Sequence, residues 1–136
     1  MGIVAKRKHI FNYFNSNFSA IDFDQIVWEN VQNTKINTNL PWISVYMSEV
    51  DTFFASLGTT RRVRHVGLLS FQIFIQPGET TLLADEILDS IADALEGKTT
   101  LESVCFGTLE TNNVGVVEAY YQVNATIPYR YDEYRS

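Results

Sequence analysis

The stretch from Arg61 to Gln76 constrains this chain more than any other. Val63, Leu69, Phe71, Ile73 and Ile75 occupy alternate positions on one side and Leu68 and Phe74 stand on the other. Alternation at period two is the signature of a β-strand, and apolar residues on both sides mark one that is central and largely buried. A fold built around this segment needs neighbouring strands to satisfy its backbone and a second layer to cover its apolar side.

Neighbours are available on either side in sequence. Gln25 to Asn30 alternates around Ile26 and Trp28 and reads as a short strand, followed by a polar loop from Val31 to Asn39. Pro41 opens a second strand, Trp42 to Met47, since proline is tolerated at a strand's first residue. Ser48 to Gly58 shows no clean period and reads as a long loop or irregular hairpin. Beyond the central segment, Glu102 to Leu109 and Val116 to Pro128 read as two strands joined by the turn formers Glu110 to Asn113.

Two helices supply the covering layer. Ile3, Ile10, Phe11, Phe14 and Phe18 recur at helical steps, and Leu83, Ile87, Ile91 and Leu95 repeat every four residues after the N-cap candidate Thr80, with Gly97 at the C-terminal cap position. The order helix, strands, helix, strands predicts an α+β fold: a mixed, mainly antiparallel sheet with two helices packed on one face. At 136 residues, 46% hydrophobic and 19% charged, the chain is expected to form a single domain over 1–136. The segment Tyr129 to Ser136 reads as an ordering arm or a frayed terminus.

A formal charge of −6 argues against a surface devoted to gripping phosphates. Lys6-Arg7-Lys8 is followed by no apolar run, so no secretory leader, lipid anchor or membrane span is expected. The single cysteine, Cys105, suits a reducing cytoplasm and reads as a small strand residue.

No pattern for catalysis or cofactor binding emerges. There is no G-x-S-x-G, His9 and His65 lack ligands at metal spacing, and Gly97-Lys98-Thr99 lies at a helix end, whereas phosphate binds at a helix start. The chain is read as no enzyme, with no catalytic, cofactor or metal site. Asp85, Asp89 and Asp93 share one face of the second helix opposite Leu83, Ile87 and Ile91, first of all a solvated face. They become an interaction surface if they meet basic residues of another subunit. Arg61, Arg62 and Arg64, the densest positive cluster, are the counterpart, Arg62 and Arg64 pointing one way and Arg61 the other.

The run Asn39-Leu40-Pro41-Trp42-Ile43-Ser44-Val45, then Leu57 to Arg62, Val66 to Glu79, Ala84-Asp85-Glu86-Ile87, Tyr120-Tyr121-Gln122-Val123 and Ile127-Pro128-Tyr129 resembles, in that order, the lambda-type phage tail terminator group and related phage tail-component domains. The likeness covers most of the chain from Asn39 onward. It departs at Glu79-Thr80-Thr81, where a glycine-rich turn is usual, and at Tyr121, where tryptophan is usual.

The resemblance implies a structural virion protein: a hexameric ring that caps the tail tube, ends its polymerisation and joins the head-side connector or stopper protein, with DNA only passing through its channel. It would be assembled in the bacterial host cytoplasm and reside at the head-proximal end of the tail. On this reading Arg61, Arg62 and Arg64 meet Asp85, Asp89 and Asp93 of the next subunit, and Phe53, Phe54 and Leu57 touch the tube. The alternatives are another neck or tail-completion protein, and a small ligand-binding domain or enzyme whose groups converge only in three dimensions, around Asp85, Glu110 or His65.

Overall fold

The computed structural model describes residues 3–21, 23–28, 40–54, 61–76, 81–101, 103–117 and 120–135. Its elements are α1 (Ile3–Asn17), a short 3-10 turn (Phe23–Gln25), β1 (Ile26–Trp28), β2 (Trp42–Phe54), β3 (Arg61–Ile75), α2 (Thr81–Leu95), β4 (Cys105–Phe106), β5 (Glu110–Val117) and β6 (Tyr120–Arg135). The strands form one mixed sheet in the order β1-β2-β3-β6, with β4 and β5 both on the far side of β6. Among the described strands only β1 with β2 is parallel, so the fold is α+β with a mainly antiparallel sheet.

β3 holds the centre, paired with β2 on one side and with β6 along its whole length on the other. Its odd-numbered residues Leu69, Phe71, Ile73 and Ile75 are buried, as are their neighbours Ile43, Val45 and Met47 of β2 and Val123, Ala125, Ile127 and Tyr129 of β6. This is the face both helices cover. α1 sends down Ile10, Phe14 and Phe18, and α2 sends down Ile87, Ile91 and Leu95. The even-numbered residues, including Leu68, Gln72 and Phe74, form an open face that no described helix covers. At its edge Trp42 and Phe74 stack with ring centroids 4.1 Å apart.

α1 buries one residue that apolar periodicity does not select. Lys6 is 5% exposed and stands one turn before Ile10, with its ammonium 5.4 Å from the ring centroid of Tyr131. A cation over an aromatic face gains electrostatically from the ring quadrupole, and its aliphatic stem packs like a hydrophobe. α2 ends where expected: Gly97 has φ 71°, a left-handed conformation that glycine adopts without a Cβ penalty. The N-cap candidate Thr80, Pro77-Gly78 and the 31–39 loop lie outside the described residues.

Four assignments made from sequence change. Ser48 to Phe54 is not a loop but the distal half of β2, paired with Val63 to Leu68 of β3. A register shift between Glu49 and Asp51 makes Val50 a bulge, which breaks the alternation. Glu110 to Asn113 is not a turn but the start of β5, paired with Val123 to Thr126. The strand expected over Glu102 to Leu109 shrinks to Cys105–Phe106, and Val116 belongs to β5. Finally, Tyr129 to Arg135 is neither an arm nor a frayed end: it continues β6 against Arg61 to Gly67, with Tyr129 and Tyr131 buried.

Candidate functional site

The distal parts of β2 and β3 form an arm backed by the end of β6, and the candidate contact residues of the sequence collect there. Register pairs Phe53 with Arg64 and Phe54 with Val63, so Phe53 lies on the open face and Phe54 on the helix-covered face. They are 44% and 57% exposed, and Val50 at the bulge is 64% exposed. The Arg61 guanidinium lies 5.7 Å from the centroid of the Phe54 ring. The two phenylalanines thus present apolar surface on opposite sides of one arm; Leu57 lies outside the described residues.

Arg62 and Arg64 point to the open face and meet a partner in their own chain. Arg64 donates from Nε to Asp132 Oδ1 at 2.9 Å and from a terminal nitrogen to Oδ2 at 3.1 Å, a bidentate pair. Arg62 Nε stands 3.5 Å from the same carboxylate. The hydrogen bond from Arg64 holds the Asp132 carboxyl below the usual range, and Asp132 in turn raises the Arg64 guanidinium. A carboxyl depressed on folding contributes stability above its unfolded pKa and loses it as pH falls through the folded value. Asp132→Asn is therefore expected to lower the urea midpoint at neutral pH, with variant and wild type converging in acid below the carboxylate range.

Asp85, Asp89 and Asp93 are exposed on the outer face of α2, away from the buried Ile87, Ile91 and Leu95. Within one chain they and the Arg62–Arg64–Asp132 cluster belong to opposite sides of the sheet. The C-terminal end of α2 is tied to the β4–β5 side: Gly97 N donates to Gly107 O at 3.1 Å, and Glu96 Oε2 accepts from Leu109 N at 2.9 Å. The acidic stripe therefore ends beside the β5 edge, whereas the arginines stand on the arm beside the β2 edge.

Sequence reading gives His65 no neighbours, but strand register supplies them. His65 is 3% exposed; its Nδ1 bonds Glu49 of β2, its Nε2 lies 3.6 Å from a Glu133 oxygen of β6, and its ring stacks on Tyr131 at 4.7 Å. Next to it burial pushes the Tyr129 phenol up to about 12. Polar groups at this depth need partners, and the cluster ties the base of the arm to the sheet. His9 bonds Thr100 Oγ1 at 2.7 Å. Asp85 on α2, Glu110 at the start of β5 and His65 beneath the arm do not converge.

On the open face a trench of about 330 Å³ runs past Val66, Cys105, Pro128 and Arg130, with the Cys105 thiol half-buried in its wall. Among the described residues no group of three or more His, Cys, Asp or Glu side chains is placed to hold a metal ion. No described helix is long and apolar enough to cross a membrane.

No family model matches this chain, and no curated protein does. Solved structures do match. One, whose name carries no functional description, aligns over 96% of this chain and 97% of its own with a TM-score of 0.66 and 12% identity. At that identity the likeness speaks for the fold alone, a single α+β layer pair shared over nearly the full length of both chains.

Proposed function

We propose that this chain is a structural subunit of a bacteriophage tail, of the tail terminator kind. Copies assemble into a hexameric ring that caps the tail tube, ends tube polymerisation and offers its other side to the head-side connector or stopper protein. It works in the virion at the head-proximal end of the tail, with no cofactor and with DNA only passing through. The ordered sequence resemblance from Asn39 onward suggests this role. The observation that carries it in the fold is the placement of exposed apolar groups: Val50, Phe53 and Phe54 are all exposed along distal β2, the two phenylalanines on opposite faces. Such groups on an exposed strand suit contact with another protein surface.

In this reading the exposed acids Asp85, Asp89 and Asp93 of one copy face the arginine end of the next. Arg62 and Arg64 share Asp132, so Arg61, exposed on the helix-covered side, is the arginine placed to answer them. Phe53 and Phe54 contact the tube. Another neck or tail-completion protein would use the same surfaces against a different neighbour.

Electron microscopy of the purified chain mixed with the tube protein from the same genome tests the reading. Six-fold rings are expected, one at a single end of each tube, with tube growth arrested. Replacing Phe53 and Phe54 by serine is expected to abolish capping. Tubes that keep growing uncapped in excess wild-type protein would refute the assignment.

A further inference from the structure

We propose that copies of this chain join head to tail through their sheets, the outer edge of β5 in one copy pairing antiparallel with the outer edge of distal β2, Tyr46 to Phe54, in the next. The proposal rests on the ring reading above and specifies its joint.

The first half of the joint is the part of β2 that β1 does not pair. It covers β2 only at Ile43, Ser44 and Val45, and from Tyr46 onward no described strand lies outside β2. All side chains from Ser48 to Phe54 are exposed. The second half is β5, which pairs with β6 on one side and with no described strand on the other. Its Val114 and Val116 are 42% and 69% exposed.

A row of unpaired N–H and C=O groups templates another chain, and lysine or proline on the edge deters it. Neither segment contains Lys, Arg or Pro. β5 carries one charge, Glu110; distal β2 carries two, Glu49, whose carboxylate is turned inward onto His65, and the exposed Asp51. The two edges are also matched in length, eight residues in β5 against Tyr46 to Phe54.

Direction and stagger agree with a closed assembly. β2, β3, β6 and β5 are successively antiparallel, so β5 runs opposite to β2. A second copy laid alongside in the same orientation therefore presents an antiparallel pair. Traced through the register, mid-β5 at Asn113 lies level with Ile73, and the middle of the free β2 edge lies level with Gly67. Six positions along β3 amount to roughly 20 Å, and four strands span roughly 19 Å, so successive copies step with a strand tilt of about 45°. Closed β-barrels have tilts of about 35–45°, so a sheet continued in this way curves towards closure.

At one end of the joint Glu96 and Glu110 stand at the β5 side and Arg61 stands on the arm that would be laid against it, with Asp51 further along the arm's edge. A contact between two copies facing each other symmetrically would instead bring like edges and like charges together.

Val50→Lys and Val116→Lys test the joint, since each adds a charge to one edge at an exposed side chain. Sedimentation velocity of the full chain at up to hundreds of micromolar is expected to show rings for wild type and monomers for each variant, all with similar thermal midpoints. Mixing the variants in equal amounts leaves one intact edge of each kind and is expected to give dimers and nothing larger. Rings retained by both variants would overturn the joint and leave the ring reading standing. Wild-type protein that stays monomeric throughout would overturn both. Slow hydrogen exchange at the outward amides of Tyr46 to Phe54 in monomeric Val116→Lys would show that edge already covered within the chain, and would overturn the joint alone.

Discussion

Replacing Phe14 by alanine is expected to lower stability by about 3–5 kcal/mol, the cost of emptying a large aromatic site in a packed core. Phe14 is fully buried at the junction of three elements. Its ring stacks on Phe18 at 4.7 Å, tilts against Phe71 of β3 at 5.0 Å and meets Trp28 of β1 edge-on at 6.2 Å. The loss removes these aromatic contacts and leaves a hole that neither α1 nor the sheet can fill without moving. For a domain of this size the thermal midpoint should fall by about 10–17 °C. Phe11 provides the contrast: it is only half-buried and touches Trp28 from the rim at 5.2 Å, so its alanine variant should lose clearly less. Equal losses at the two positions in urea titrations would mean that α1 docks through a different face.

What the sequence revealed depends on whether a segment has one dry side. β3 and α2 are one-sided or two-sided apolar elements, and their periods are plain at Leu69, Phe71, Ile73 and at Ile87, Ile91, Leu95. Distal β2 is exposed on both faces and carries a bulge at Val50, so burial imposes no alternation on it to read. β5 begins Glu-Thr-Asn-Asn, residues whose local preference is a turn; pairing with the long β6 overrides that preference. In the C-terminal stretch, Tyr129 and Tyr131 continue the period of Val123, Ala125 and Ile127, but the charges Arg130, Asp132 and Glu133 around Tyr131 disguise the strand.

The surfaces divide in the same way. An arginine cluster and an acidic helix face are local patterns, and both are legible as charge. That Arg64 is held by Asp132, and that His65 lies between Glu49 and Glu133, follows only from register between strands far apart in sequence. Whether a charge already has a partner within its own chain is therefore decided by strand pairing, which local sequence spacing does not display.

Substituting Gly67 is expected to be the most damaging single change near the arm. Gly67 is paired with Glu49 on one side and Tyr129 on the other, on the helix-covered face of β3. A Cβ built there runs into the carbonyl oxygen of Ser48 and the hydroxyl end of the Tyr129 ring, both closer than any real contact allows. The constraint is space: the Tyr129 ring lies where a side chain would stand, and the Ser48 carbonyl belongs to backbone beside the Val50 bulge. Alanine is expected to cost about 1–3 kcal/mol through forced displacement, and valine more. Tyr129→Leu should relieve part of the cost, so Gly67→Ala should be milder in that background, a coupling that a double-mutant cycle measures. The Ser48 contact persists in both backgrounds, so the relief should be incomplete. Because the displaced segment carries the edge of β2 proposed as the joint, Gly67→Ala should weaken self-association and stability together, whereas Val50→Lys should affect association alone. A Gly67→Ala chain with wild-type stability would show that Tyr129 does not press on β3 at this point.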